Sequence, residues 1–184
     1  MNKYYCLLFV VFIWSCNSSS VQKEEKLRQP KKSVVQKHRT SVALESNSIA
    51  KITNWKEYFS VNDDLKKFNS ISANEALNNA LKLSELVKFL KDSIRPKELR
   101  TLSFRTRVNV LENEALRLKD MTYISAITAN EVNIQVDKIL SAFSATNSKI
   151  NAVYNQLEVE KDIDNPKVIK KKPVPKRKLK KSLY

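Results

Sequence analysis

The side chains capable of chemistry are few. The chain has one histidine, His38, and two cysteines, Cys6 and Cys16. One histidine excludes a two-histidine metal site, and any Ser-His-Asp or Cys-His arrangement would have to recruit that single imidazole. His38 lies in a Ser-, Lys- and Gln-rich stretch with no sustained hydrophobic period, which predicts a position outside the folded body. A di-iron bundle needs a Glu-x-x-His motif on two helices, and the sequence has none. Paired carboxylates remain as acid–base groups. Between residues 40 and 166, however, seventeen acids face seventeen bases, and on amphipathic segments that balance reads as a solvated face. The expectation is a chain with no catalytic residues, no metal and no cofactor; an enzyme working with carboxylates is the weakest of three readings.

Functional content then rests on two terminal features. The first is residues 1–16. Lys3 precedes an apolar run of eleven residues from Tyr4 to Trp14, followed by Ser15, Cys16 and a polar Asn17-Ser18-Ser19-Ser20. Eleven residues cannot span a hydrocarbon core about 30 Å thick, which takes roughly 20 helical residues. The length and the basic start suit a signal peptide. Ile13-Trp14-Ser15-Cys16 resembles the lipobox of bacterial lipoproteins, an aliphatic residue and two mostly small residues before an invariant cysteine; Trp14 is bulkier than that pattern prefers. The resemblance implies cleavage before Cys16, a diacylglyceryl thioether on its sulfur and an acylated amino terminus. Cys6 would leave with residues 1–15, so Cys16 would have no partner in its own chain for a disulfide. Three acyl chains at about 0.8 kcal/mol per buried methylene make a permanent anchor. Asn17 is not the aspartate that retains some lipoproteins in the inner membrane, which favours a place in the cell envelope on the outer membrane. The other readings are an ordinary signal peptide and a retained short anchor.

The second feature is charge. The net charge is +15, and none of it belongs to the middle of the chain. Residues 17–39 carry seven Lys/Arg against two Glu, and residues 167–184 carry nine Lys/Arg and no acid. Lys170, Lys171, Lys172, Lys176, Arg177, Lys178, Lys180 and Lys181, interrupted by Pro173 and Pro175, form the candidate contact with an anionic surface. Each such charge near an anionic membrane contributes about 1 kcal/mol, within a Debye length. Anionic lipid, lipopolysaccharide or a cell-wall polymer would satisfy the tail. Nucleic acid is disfavoured, because an exported chain seldom meets it and Tyr184 is the only aromatic available to stack. The bland reading of the tail is a solubilising end.

The elements that carry these termini read as all-α. Glycine is absent, which removes phosphate-cradling loops and the usual two-residue hairpin turns. Residues 1–15 read as signal peptide and 16–47 as the lipidated cysteine with a flexible linker. Residues 48–162 read as a helical bundle, and 163–184 as a disordered basic tail. Ser48, Ile49, Ile52, Trp55 and Phe59 predict a short helix, and Asn62-Asp63-Asp64 looks like the start of another. Three long seams follow at alternating spacings of 3 and 4. The first, Ala76 to Ile94, begins at the capping box Ser72–Glu75. The second runs from Thr101 to Thr122, after Pro96 at the first position of a new helix. The third, Val132 to Leu157, begins at Thr128–Glu131 in a near copy of residues 71–76. The expected architecture is an antiparallel bundle of three main helices plus a short N-terminal helix. The alternative is a helical hairpin with one long coiled-coil helix continuous from Pro96 to about Glu160. Phe104 and Phe143 are expected in the core, and Phe89, Tyr123 and Tyr154 lie off the seams as candidates for a partner surface.

Two functions compete on this reading. One is a tethering lipoprotein, similar in architecture to the small helical lipoproteins that link the outer membrane to peptidoglycan through a basic C-terminus, though different in length and linker. The other is a non-catalytic interaction subunit of an envelope complex, binding a helical protein partner.

Overall fold

The computed structural model describes residues 31–164. Cys16 and the eight basic residues of the tail lie outside them. The described chain is mostly helical, in the order β1 (Val35–Lys37), α1 (Ser46–Ile52), α2 (Lys56–Phe68), β2 (Ser70–Ser72), α3 (Ala73–Asp92), a 3-10 turn (Lys97–Leu99), α4 (Leu102–Met121) and α5 (Ala129–Asp164).

The three seams form the core. Ala76, Ala80, Leu83, Val87 and Leu90 of α3 face Phe104, Val108, Leu111, Ala115 and Leu118 of α4, and both face Val132, Val136, Ile139, Phe143 and Ile150 of α5; all are buried. Lys91 of α3 reaches Glu112 of α4 at 2.6 Å, and Gln135 of α5 reaches Glu114 of α4 at 2.7 Å. Both capping boxes are complete. Ser72 Oγ accepts from the Glu75 amide at 3.3 Å while Glu75 accepts from the Ser72 amide at 3.0 Å. Thr128 and Glu131 repeat the exchange at 3.2 and 2.9 Å.

The second and third seams belong to separate helices. The end of α4 tightens into bonds from Thr122, Tyr123 and Ile124 to carbonyls three residues back, at 3.0, 3.1 and 3.2 Å. That is how a helix satisfies its last carbonyls before leaving its axis. The β-branched residues at 122, 124, 127 and 128, poor helix formers, occupy the break.

Several local expectations are corrected. The N-terminal short helix is two, α1 and α2, separated at Thr53–Trp55. Asn62-Asp63-Asp64 begins nothing: it lies inside α2, where Asp63 pairs with Lys66 at 2.8 Å and Asp64 pairs with Lys67 and Lys82. After Pro96 only the 3-10 turn forms; α4 starts later, capped by Thr101, whose Oγ1 accepts from the Phe104 amide at 3.3 Å. Tyr154 is buried rather than on a partner surface, whereas Phe89 and Tyr123 are exposed.

The largest correction concerns residues 31–47, read from composition as flexible linker. They are held. Val35, Gln36 and Lys37 pair antiparallel with Ser72, Ile71 and Ser70. The His38 amide donates to the Asn69 carbonyl at 2.9 Å, and the Asn74 amide to that of Lys32 at 3.0 Å. Absence of glycine forbids a tight hairpin, but these two strands are joined through α1 and α2 and need no such turn.

Candidate functional site

The most organised polar feature of the described chain is the seat of residues 36–47 on α5. At 20 residues each, α3 and α4 are about 30 Å long, and at 36 residues α5 is about 54 Å. Most of its length carries a row of polar side chains. Asn133 Nδ2 donates to Gln36 Oε1 at 2.6 Å, and His38 Nδ1 lies 2.9 Å from Asp137 Oδ1. Ser144 Oγ accepts from the Val42 amide at 2.9 Å, and Asn147 Nδ2 donates to the Val42 carbonyl at 2.7 Å. Asn151 donates to the Ala43 carbonyl and accepts from the Glu45 amide, both at 3.0 Å. Asn155 reaches the Glu45 carboxylate, and Glu158 accepts from Asn47, both at 2.9 Å.

Helical geometry explains why one row can do this. At 100° per residue, positions 133, 137, 144, 147, 151, 155 and 158 fall within about 40° of a common direction, roughly 100° round the helix from the apolar seam. Residue numbers rise together along both partners, so the strap runs parallel to α5. From Gln36 to Glu45, nine steps of extended chain at about 3.3 Å cover roughly 30 Å. From Asn133 to Asn151, eighteen helical steps at 1.5 Å cover roughly 27 Å. The two rises match closely enough for one row of side chains to serve the whole strap. A side-chain amide offers the same donor and acceptor as a peptide group, so Asn147 and Asn151 stand in for a neighbouring strand.

The strap then enters the core. Ile52 at the end of α1 and Trp55 just past it are buried; Trp55 packs 5.6 Å from Tyr58 and 6.0 Å from Phe104, ring centre to ring centre. Tyr58 stacks on Phe143 at 5.8 Å and its hydroxyl donates to Asn147 Oδ1 at 2.9 Å. Asn147 therefore joins three elements: the strap, α2 and α5.

His38 is corrected from a free linker residue to part of this body, with a fully buried ring. Its pairing with Asp137 resembles the orienting half of a hydrolase triad. The other half has no counterpart in this geometry: His38 Nε2 has no hydrogen-bond partner, and the Ser144 hydroxyl is engaged by the Val42 amide. Among the described residues no three His, Cys, Asp or Glu side chains gather to hold a metal ion, and no helix is long and apolar enough to cross a membrane. No protein family, curated protein or solved structure matches the chain. What the site can do must come from its own geometry.

That geometry binds an extended backbone, in this case its own. Sequence reading missed it although a signal was present. Asparagine is a poor helix former, yet Asn133, Asn147, Asn151 and Asn155 recur on one face of a long helix. Such residues persist in a helix interior where their amides are wanted.

Burial at the site also sets a pH limit. The Tyr58 hydroxyl is pushed up by burial, with the Asn147 hydrogen bond opposing, and burial together with the nearby Glu98 carboxylate pushes Tyr154 up to about 12. A folded-state pKa above the unfolded value of 10.0 means that the folded chain holds these protons more tightly. Their contribution is fully present below about pH 10 and disappears as pH rises toward 12. Alkaline titration should therefore show tyrosinate absorbance from these two residues rising together with loss of helical circular dichroism. Complete tyrosine ionisation of a chain that stays helical would contradict it.

Proposed function

We propose that this chain is a lipid-anchored tether: an acyl group on Cys16 holds one end, an up-and-down helical bundle serves as spacer, and the basic tail grips a second, anionic surface. The observation that supports the reading is the separation of Gln36 and Asp164 along α5. Gln36 sits on Asn133, near the start of α5, and the chain leaves at Asp164, the other end of that helix. Those points are about 46 Å apart along the axis. In this reading the lipobox-like segment, which precedes the strap in sequence, serves one end of the body, and the tail of Lys170–Lys172, Lys176–Lys178, Lys180 and Lys181, which follows α5, serves the other. A spacer between two attachments needs that arrangement; a chain whose ends emerge side by side would suit it poorly. Outer-membrane placement and an anionic lipid, lipopolysaccharide or cell-wall partner complete the proposal.

Fatty-acid labelling of the wild type beside Cys16→Ser tests the anchor, with complete loss of label expected in the variant and equal labelling overturning it. Binding of the chain to anionic vesicles and to isolated cell wall, with and without residues 167–184, tests the tail. The truncated chain should lose most binding at low salt, and the intact chain should lose it on adding salt. Unchanged binding after truncation would remove the tail from the reading.

A second reading, a subunit that docks a helical partner, draws on apolar side chains left uncovered on the body. Leu102 is 82% exposed and Phe89 60%. Sedimentation of the chain as a compact monomer would argue against self-association through them.

A further inference from the structure

The geometry points to a mechanical role for the strap: it and α5 form a clamp that resists tension applied between the two ends of the chain. The inference rests on the tether reading for its biological setting, since only a chain held at both ends is pulled. Its physical content is independent of that reading.

Three observations carry it. First, the strap and α5 run parallel, while their outer ends face opposite ways. The described chain enters beside the start of α5, and α5 runs on to Asp164 at the far end. A pull on Lys31 away from the body draws the strap toward the entry end; an opposing pull on Asp164 draws α5 toward the exit. The two elements are asked to slide past each other. Second, the bonds that join them cross the direction of sliding. The contacts of Gln36, His38, Val42, Ala43, Glu45 and Asn47 with α5 run from Asn133 to Glu158, about 38 Å of helix. In this geometry they strain together, so no single contact bears the force. Were the strap antiparallel to α5, the same pull would open the contacts one after another, each carrying the full force in turn. Third, the strap ends in a stop. Ile52 and Trp55, both 1% exposed, follow it into the core, and sliding the strap toward the entry end would drag Trp55 away from Tyr58 and Phe104.

The clamp is built for one direction. Force between residues at the entry end would lift the strap from Gln36 onward and break its contacts in sequence. Force along the long axis would meet them all at once. Forced unfolding follows the barrier for the element that yields first, so the direction of pull should decide the rupture force.

The test is single-molecule pulling of the full chain carrying Cys6→Ser and Cys16→Ser, with handles on introduced cysteines. Lys31→Cys with Asp162→Cys pulls along the axis, and Lys31→Cys with Asn130→Cys lifts the strap from its entry end. At equal pulling speed the axial rupture force should be about twofold higher or more. Asn147→Ala combined with Asn151→Ala should lower the axial force toward the lifting value. Equal forces in the two directions would overturn the clamp, as would an axial force untouched by the double substitution. The comparison of directions needs no ladder substitution and stands if the Asn147/Asn151 variant does not fold. Failure here would leave the labelling and tail-binding results unaffected, and loss of those results would leave the pulling result unaffected.

Discussion

Trp55→Ala is expected to lower the stability of the folded chain by about 3–5 kcal/mol, the usual cost of truncating a fully buried aromatic. The indole is 1% exposed and lies at the break between α1 and α2, against Tyr58 and Phe104. Its removal opens a cavity at the junction of the strap, α2 and α4, where three elements would have to shift together to refill it. The indole Nε1 has no hydrogen-bond partner, so no bond is lost and the effect is one of packing. Urea denaturation gives the measure: a lower midpoint with an unchanged slope. A loss below about 1 kcal/mol would mean that the junction collapses without penalty, contrary to a tightly packed core.

Asn147→Leu is expected to cost about 2–4 kcal/mol although it replaces a polar group by an apolar one of similar size. Asn147 is 2% exposed. Its amide serves the Val42 carbonyl on one side and the Tyr58 hydroxyl on the other. Leucine leaves both without that partner, the Tyr58 hydroxyl in a buried place and the Val42 carbonyl in a part-buried one, and a buried bond left unmade costs about 1–3 kcal/mol. The signature is partial rescue. Adding Tyr58→Phe removes one stranded hydroxyl, so the double variant should regain about 1 kcal/mol relative to the sum of the two single losses. Strict additivity would show that Tyr58 and Asn147 do not depend on each other.

The seams were readable because apolar spacing of 3 and 4 has one physical meaning: Phe104, Val108 and Leu111 could share a face only on a helix. Ser72–Glu75 and Thr128–Glu131 were readable for a similar reason, since a capping box closes within four residues. The strap was not. Its partners lie about a hundred positions away, as with Val42 and Ser144 or Glu45 and Asn151, and its own residues are polar and irregular, the composition of a linker. Order there comes from α5, and no local pattern in residues 31–47 announces it. Asn62-Asp63-Asp64 misled in the opposite sense. It has the composition of a helix start, but Tyr58, Val61, Leu65 and Phe68 share a buried face, and packing carries α2 straight through it. Tyr154 shows the limit of seam counting: it lies off the α5 seam and is still covered, because α5 has a second neighbour in the strap and α1.

The seating of residues 36–47 also sets a gap. If all residues between Cys16 and Ser48 were free, the first attachment could lie roughly 100 Å from the body at full stretch. With the chain captured from about Lys31 onward, only fifteen steps lie between that residue and Cys16, at most about 50 Å. If Cys16 is an attachment point, capture of the chain from about Lys31 onward removes roughly half of the leash's reach, and much of that capture rests on a few asparagine side chains on one helix.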